Sequence, residues 1–537
     1  MRIDRRRFLQ QAGVAAAGYA LLGTEVGRAA AGDPGAGPFQ HGVASGDPLA
    51  DRVILWTRVT PRGPEPGPVS VRWWIAERPS RRLVAQGTAV TDATRDFTVN
   101  VDATGLKPGR AYRYGFELDG VASPEGRTRT APQGQVDRLR LALVSCSSLP
   151  AGFFNAYARV AERDELDLVV HVGDYIYESG SAGSVGRAPE PPREIVTLGD
   201  YRTRYAQYRR DPDLQAAHAA HPWVVVWDDH ESANDSYEDG AAGHQPGSEG
   251  PWEARKTAAI RAYREWMPIR WPDPDDPVRI WRELPFGDLV DLIMLDTRLY
   301  GRDQAPGTTD LNDPSSNDPS RRMLGERQEA WLKERLAASR ARWRVVGNQT
   351  MISPHHYGGG LPYLPEQVTE TGKLRQGGTN EGADNWGAYR VERDRLIAFL
   401  RERRIRDTIV LTGDIHTAWG ADVVEDPLTL ATYEPITGRG SVAVELVTTS
   451  VTSNNLGEVL PRPVVEAANA LVLAGNPNVD YVDLGGHGYV VLDIGRHEAR
   501  AEWWQVPTIL APSAGEKRAA VRRVRAGTNH LERVLLG

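Results

Sequence analysis

From residue 138 onward, short apolar runs alternate with segments whose apolar residues recur at helical spacing. The apolar runs predict strands at 139–145, 166–172, 222–227, 289–295, 343–346, 408–411, 442–448, 489–494 and 500–506. The helical spacing predicts amphipathic helices at 152–164, 255–266, 325–340 and 390–401. Strands that alternate with helices in this way are typical of an α/β fold.

Residues 38–133 show a different pattern, in which strand-like runs at 53–59, 69–75, 96–101 and 106–116 are separated by turn residues. Such short strands favour a small all-β sandwich. The Leu106-x-Pro108-Gly109-x-x-Tyr112 pattern resembles that of a fibronectin type III domain. We expect a fibronectin-like or immunoglobulin-like domain at 38–133, in which Asp47 and Asp51 are turn residues, and a boundary at 131–137. A second domain then covers 138–510, and the basic segment 511–537 predicts a C-terminal helical tail.

The first 31 residues have the organisation of an export signal. A basic start, Arg5-Arg6-Arg7, is followed by an apolar stretch at 12–22 and by three alanines at 29–31. The arginines followed by Phe8-Leu9 resemble a twin-arginine signal. A basic helix or a membrane anchor is the alternative, but the apolar stretch is too short and too rich in Gly and Ala to span a bilayer. We expect a twin-arginine signal peptide at 1–31, export by that machinery to the periplasm, cell wall or medium, and no stable membrane anchor.

Composition and charge exclude some classes of function. The net charge of −7 becomes about −10 without residues 1–31, which carry five arginines and two acids. An acidic chain is unsuited to binding a nucleic-acid backbone, so we expect no specific nucleic-acid binding. The single cysteine, Cys146, rules out an internal disulfide, so stability must come from the hydrophobic core.

Polar residues follow five of the predicted strands, and each set comes where its strand ends. They are Cys146, Asp174 with Tyr177, Asp229 with His230, Asn348, and Asp414 with His416. Because ligands gather outside the carboxyl ends of parallel strands, we expect these groups to converge at one edge of a sheet.

Each of these residues also has a structural interpretation. Cys146 can be a small buried residue, His416 a hydrogen-bonded core histidine, and Asn348 a turn residue. Asp228 or Asp229 can cap a helix. We expect one of the two aspartates to do so and favour Asp229 as the ligand, because it directly precedes His230.

Taken together, the sulfur, nitrogen and oxygen donors suit a site for two metal ions. A phenolate ligand such as Tyr177 indicates a strongly Lewis-acidic ion, for example ferric iron, since the metal must displace a proton whose pKa is about 10. Two ions about 3.5–4 Å apart can clamp a phosphate and activate a water molecule for in-line attack.

Three longer motifs resemble those of the alkaline phosphatase D (PhoD) family of calcineurin-like metallophosphoesterases: GDYIYE at 173–178, WDDHE at 227–231 and GDIH at 413–416. The segments at 41–48, 145–146 and 347–349 show the same resemblance. It covers most of the chain beyond the leader, including the β domain. It implies a four-layer α/β/β/α sandwich at 138–510, ferric iron and calcium as cofactors, and hydrolysis of phosphodiesters, phosphomonoesters or both. Secreted phosphodiesterases of the phospholipase D type are similar as well.

Carried over by position, the resemblance assigns four iron ligands: Cys146, Asp174, Tyr177 and His416. Asp174 would bridge to calcium, which Asp229 and Asp414 would also bind, and Asn234 would contact calcium or the phosphate. Thiolate, phenolate and imidazole suit iron, whereas carboxylates suit calcium.

The motifs depart from the wider superfamily at three positions. Cys146, Asp229 and Asp414 stand where that superfamily usually has Asp, Asn and His. These exchanges remove nitrogen ligands and add carboxylates at the second metal, which fits calcium better than zinc or manganese. Zinc and manganese stay as alternatives.

The implied mechanism is attack of a metal-activated hydroxide on phosphorus while both ions neutralise the developing charge. His230 has two roles open to it, either as general acid for the leaving group or as a residue that orients the metal site. One rival hypothesis is a covalent phosphoryl-enzyme on Ser145 or Ser147. Another is a non-catalytic metal-containing adhesion or ligand-binding protein. The sequence leaves open whether the phosphoester substrate is small or polymeric, and the oligomeric state.

Overall fold

The computed structural model of the chain describes residues 37–63, 66–306, 314–355 and 384–534. The expected signal peptide at 1–31 lies outside these residues. None of the helices among the described residues is long and apolar enough to cross a membrane.

The strands fall into three stretches of the chain. Those before residue 130 are β1 (Val43–Gly46), β2 (Arg52–Arg58), β3 (Val69–Glu77), β4 (Leu83–Thr91), β5 (Thr98–Thr104), β6 (Ala111–Leu118), β7 (Val121–Ala122) and β8 (Gly126–Arg129). Those from 138 to 300 are β9 (Arg138–Val144), β10 (Leu168–His171), β11 (Pro222–Val225), β12 (Ser236–Tyr237), β13 (Gly240–Ala241), β14 (Arg282–Phe286) and β15 (Val290–Met294). Those beyond 340 are β16 (Trp343–Gly347), β17 (Thr408–Thr412), β18 (Ala418–Val423), β19 (Ala443–Val447), β20 (Val479–Asp483), β21 (Gly488–Gly495), β22 (Glu498–Gln505), β23 (Lys517–Arg525) and β24 (Leu531–Arg533).

The helices lie between these strands. They are α1 (Asn155–Glu162), α2 (Leu198–Tyr208), α3 (Pro212–Ala220), α4 (Pro246–Glu249), α5 (Trp252–Trp266), α6 (Gly325–Ala338), α7 (Arg390–Glu402), α8 (Leu456–Val459) and α9 (Arg462–Gly475). The four helices expected from apolar spacing are α1, α5, α6 and α7. Local capping signals explain α2 and α3, which that spacing did not reveal. Thr197 and Asp200 form a capping box before α2, and Asp211 accepts two backbone N–H bonds at the start of α3.

Two large mixed sheets form the body of the molecule, and the α/β class is confirmed. A ten-stranded sheet has the order β24-β23-β22-β21-β9-β10-β11-β1-β2-β5, and a seven-stranded sheet has the order β14-β15-β16-β17-β19-β18-β20. The strands β9, β10 and β11 are parallel in the first sheet, as are β15, β16, β17 and β19 in the second. Parallel neighbours bring their carboxyl ends to the same edge, and five of these strands, β9, β10, β11, β16 and β17, precede the polar motifs.

The two sheets face each other across one apolar core. Leu141 and Leu143 of β9 belong to the same buried cluster as Val345 of β16 and Ile409 of β17. A second cluster packs α1, α2, α3 and α5 against the outer face of the ten-stranded sheet. A third packs α6 and α7 against the outer face of the seven-stranded sheet. The elements are therefore layered as helices, sheet, sheet and helices.

The segment before residue 130 is all β, but it does not form a separate sandwich. Its strands β1, β2 and β5 extend the ten-stranded sheet, and β1 pairs in parallel with β11. A five-stranded sheet of β3, β4, β6, β7 and β8 packs against them through a shared core. The expected boundary at 131–137 thus separates stretches of sequence but not sheets. Asp47 pairs with Arg282 through both carboxylate oxygens at the end of β1, which agrees with a structural role.

The prediction of a helical tail at 511–537 is wrong. Residues 517–525 and 531–533 form β23 and β24, which extend the edge of the ten-stranded sheet beyond β22. The three-residue spacing of Val521 and Val524 suggested a helix. In the structure, pairing with β22 satisfies the backbone hydrogen bonds of this segment as a strand. The side chains of Ala520, Val521 and Val524 are buried in that arrangement.

Trp503 of β22 contacts the opposite sheet from a buried position. We expect Trp503→Ala to destabilise the protein by about 3–5 kcal/mol. Its indole N–H donates to the Val447 carbonyl in the opposite sheet at 3.0 Å, and only 1% of the residue is exposed. Urea denaturation would measure the loss. Trp504→Ala is the matched control, because Trp504 is partly exposed on the other face of the same strand. Equal losses for the two variants would contradict the inter-sheet role of Trp503.

Candidate metal centre

The polar motifs meet where strands of both sheets end. Cys146, Asp174 and Asp229 follow β9, β10 and β11 in the ten-stranded sheet, while Asp414 follows β17 in the seven-stranded sheet. All four residues belong to groups of candidate ligands whose atoms lie within 4.8 Å of one another. The expectation of a single sheet edge is therefore wrong, because the facing sheets place the ends of their parallel strands side by side.

Four residues of these motifs have a left-handed backbone. The φ angles are 58° for Cys146, 58° for Asp174, 67° for Asp414 and 60° for His416. This region is sparsely populated by residues other than glycine, and backbone strain of this kind gathers at functional sites. Hydrogen bonds between the loops hold the conformation: the Cys146 N–H donates to the Gly173 carbonyl at 3.2 Å, and Ser453 Oγ donates to the Cys146 carbonyl at 2.9 Å.

The first group of candidate ligands contains one sulfur, one oxygen and one nitrogen atom. The ligand atoms of Cys146, Asp174 and His416 lie within 4.8 Å of one another. The Tyr177 hydroxyl joins them, since it lies 3.0 Å from Asp174 Oδ2 and 3.0 Å from His416 Nε2. His416 Nδ1 is 3.0 Å from the Asn454 carbonyl, which orients the ring so that Nε2 faces the group.

The second group consists of carboxylates around a buried arginine. Asp228, Asp229 and Asp414 bring their oxygens within 4.8 Å of one another. The fully buried Arg298 guanidinium donates to Asp228, lies 2.8 Å from Asp414 and 3.6 Å from Asp229, and pairs with Asp384 at 2.5 Å. Neither Asp228 nor Asp229 caps a helix, because residues 228–237 form turns and a short strand, so that expectation is wrong.

Three carboxylate oxygens in these groups are buried and have no hydrogen-bond partner among the described residues: Asp174 Oδ1, Asp228 Oδ2 and Asp229 Oδ1. Burial and the neighbouring carboxylates raise the pKa of Asp174 well above its usual value, although His230 opposes this. Burial raises the pKa of Asp228 to about 6 against the effect of Arg298. For Asp229, burial is outweighed by Arg298 and His230, and the pKa falls to about 2. Unpartnered buried oxygens, two of them on carboxyls whose pKa is raised by burial, fit a site for cations.

His230 stands beside both groups and is held by Glu178. Its Nδ1 lies 2.6 Å from Glu178 Oε2, and its ring packs on Tyr177 with centroids 4.2 Å apart. A ligand atom of His230 also lies within 4.8 Å of oxygens of Asp174 and Asp229. Burial lowers the pKa of His230, but the charges of Glu178, Asp229 and Asp174 raise it well above the usual value. The ring is thus positioned by a carboxylate and favours the protonated form.

Comparison with known proteins identifies the family of the chain. The family model described as PhoD-like phosphatase matches residues 141–503, and the model of the N-terminal domain of PhoD-like phosphatases matches residues 26–132. The chain belongs to the PhoD-like phosphatase family. Membership of this family makes it a phosphoester hydrolase, and it agrees with the resemblance seen in the three motifs.

Individual relatives of the family match over nearly the whole chain. Alkaline phosphatase D of Bacillus subtilis (strain 168) is 35% identical, over 95% of this chain and 86% of its own length. A solved structure described as that of PhoD superposes with a TM-score of 0.80 at 32% identity, and the match covers 94% of each chain. Both relatives therefore match the β segment as well as the body that carries the candidate metal centre.

Two further residues singled out from the sequence, Asn234 and Asn348, have hydrogen-bond partners outside the proposed ligand set. Asn234 is exposed, and its backbone N–H donates to Glu178 Oε1 at 2.8 Å. Asn348 is buried in structural bonds: its Oδ1 accepts from the Trp386 indole at 3.2 Å, and its Nδ2 donates to the Thr350 carbonyl. A contact of Asn234 with calcium or phosphate therefore stays a prediction for the PhoD-like site.

Sequence reasoning set Asp228 aside in favour of Asp229, and it missed four further members of the site: Glu178, Asp235, Arg298 and Asp384. The ligand atoms of Asp229, Asp235 and Asp384 form a further group within 4.8 Å. Asp228 and Glu178 lie inside the motifs WDDHE and GDYIYE, so the sequence already indicated that both are close to the site. Arg298 also followed a predicted strand, at 289–295, and could have been included on the same ground. Asp384 lies at the edge of a long Gly-rich insertion and offered no local signal.

Proposed function

We propose that the chain is a secreted metal-dependent phosphoesterase that hydrolyses phosphodiesters, phosphomonoesters or both at a dinuclear iron–calcium centre. The observation that carries the proposal is the pair of adjoining groups. One contains a thiol, a phenol and an imidazole, and the other contains only carboxylates, with Asp174 beside both. Thiolate, phenolate and imidazole donors suit iron, and carboxylates suit calcium.

The residues of each group would have distinct roles. Cys146, Asp174, Tyr177 and His416 would hold ferric iron. Asp174 would bridge to calcium, which Asp229 and Asp414 would also bind. Asp228 joins this set because its Oδ2 is buried without a hydrogen-bond partner. When bound, the two ions would supply Lewis acidity at the phosphate and a nucleophile derived from water.

The protein itself would handle the proton and the surrounding charge. Glu178 holds the His230 ring by its Nδ1, which leaves Nε2 as the nitrogen that can donate a proton to the leaving alkoxide. Arg298 balances part of the charge of Asp228, Asp229 and Asp414. Asn234 would contact calcium or the phosphate from the rim. Export by the twin-arginine route would deliver the protein folded, with its metal already bound.

Elemental analysis of the natively exported protein tests the proposal together with hydrolysis of bis-p-nitrophenyl phosphate. We expect about one iron per chain, a charge-transfer colour from the thiolate or phenolate, and activity that calcium chelation removes and added calcium restores. Zinc or manganese in place of iron, with calcium irrelevant, would keep the phosphoesterase and overturn the ligand assignment. Bound metal without turnover of any phosphoester would favour the non-catalytic binding protein.

A further inference from the structure

Glu231 is buried beside the candidate metal centre and belongs to none of the ligand groups found in the described part of the chain. Only 2% of the residue is exposed. Its Oε2 accepts from the N–H of Asp174 at 3.0 Å and from the N–H of Asp228 at 2.7 Å, and its Oε1 accepts from the N–H of Tyr175 at 2.5 Å. All three donors are backbone groups of the residues that carry or adjoin candidate ligands.

These three bonds join the loops that follow two neighbouring strands. Asp174 and Tyr175 follow β10, Asp228 follows β11, and the two strands pair in parallel. The loops also touch directly, because a Cβ atom on Gly173 would lie 2.3 Å from Asp228 Cβ. The separation of Asp174 from Asp228 and Asp229 is therefore fixed both by the Glu231 carboxylate and by the close contact of Gly173 with Asp228.

The bond to Asp174 has particular weight because of the backbone there. Asp174 has φ 58°, a conformation that costs about 1 kcal/mol or more in a residue other than glycine. Hydrogen bonds to the N–H groups of Asp174 and Tyr175 hold the turn in that conformation.

We propose that Glu231 is a positioning residue, which sets the spacing between Asp174 and the Asp228-Asp229 pair so that both can reach the same metal ions. This inference rests on the proposed function of the metal centre. It concerns residues that would coordinate the ions, while Glu231 itself acts only through their backbone N–H groups.

The variant Glu231→Gln tests the proposal with almost no change of shape. Its amide oxygen can replace Oε2 and keep the bonds from Asp174 and Asp228. Its NH₂ group then faces the N–H of Tyr175, where two donors oppose each other. We expect the affinity for calcium, titrated calorimetrically into iron-loaded protein, to fall about 10- to 100-fold. We also expect kcat to fall with little change in KM.

Glu392→Gln is the matched control. Glu392 is fully buried and accepts the N–H groups of Met323 and Leu324, one on each oxygen, outside the candidate ligand groups. Both variants are expected to lower the melting temperature, but only Glu231→Gln should lower the calcium affinity. Equal calcium affinities in the two variants would overturn the positioning role, even with an active wild-type enzyme. A wild-type protein that binds calcium and turns over no phosphoester would instead refute the proposed function, and the two failures are thereby distinguished.

Discussion

Asp174→Asn is expected to lower kcat/KM for a phosphodiester by about 10³-fold or more and to reduce the content of both metals. Asp174 belongs to two of the candidate ligand groups, and no described residue forms a hydrogen bond with its buried Oδ1. A bound ion stabilises the charge of the transition state by several kcal/mol. Losing the ion removes this stabilisation, and each loss of about 1.4 kcal/mol lowers the rate about tenfold. Asparagine keeps the shape of the side chain and tolerates the left-handed backbone at this position.

The same substitution should make the metal-free protein more stable. Burial raises the pKa of the Asp174 carboxyl, and the charges of the neighbouring Asp228, Asp229 and Glu231 raise it further. Neutralising one of several crowded carboxylates relieves their repulsion, so the melting temperature of the chelated protein should rise. Asp47→Asn is the matched control, because Asp47 is also a buried aspartate with positive φ at a strand end, but it pairs with Arg282. Breaking that buried pair costs about 3–5 kcal/mol, so this control should lose stability and keep its metals.

Elemental analysis, melting curves with and without chelator, and steady-state rates give the three readouts. A variant Asp174→Asn that kept full iron and calcium would remove Asp174 from the ligand set. A loss of activity with a lower melting temperature in the chelated state would point to damage of the fold instead.

The strands that carry the site could be predicted from the sequence because their signal is local. The run before Asp174 and the run before Asp414 are fully buried strands that need apolar residues on both faces. The polar residue that follows each run marks the strand end. Cys146, Asp174 and His416 could therefore be predicted as site residues from their positions after strands, whereas their roles as ligands came from the family resemblance.

The rest depended on pairing between distant parts of the chain. Nothing near Val43 indicates that β1 joins β11, about 180 residues later, rather than a sheet of its own. At the C-terminus, β23 is a strand because β22 offers an edge, and that edge is invisible in the local spacing. Arg298 follows β15 of the seven-stranded sheet, and its pairing with Asp228, which follows β11 of the ten-stranded sheet, exists only because the sheets face each other.

His230→Ala is expected to separate substrates by their leaving groups. If His230 donates a proton to the departing alkoxide, a diester with an alkyl leaving group should lose about 10²–10⁴-fold in kcat/KM. Bis-p-nitrophenyl phosphate should lose little, because p-nitrophenolate leaves without protonation. Glu178 supports this role, since its carboxylate lies 2.6 Å from Nδ1 and its charge raises the pKa of the ring.

An orienting role for His230 makes a different prediction. A histidine that only orients the metal centre would affect the hydrolysis of every substrate through the metal content of the protein. Equal losses of kcat/KM for both leaving groups would therefore contradict the general-acid assignment. Glu178→Gln should show a weaker version of the leaving-group effect, because the ring would keep its place but lose the charge that favours protonation. His530→Ala is the control, since His530 forms a similar pair with Asp422, with Nδ1 and Oδ2 2.6 Å apart, outside the candidate ligand groups. Its rates should match the wild type for both substrates, so that any leaving-group dependence belongs to the His230–Glu178 pair.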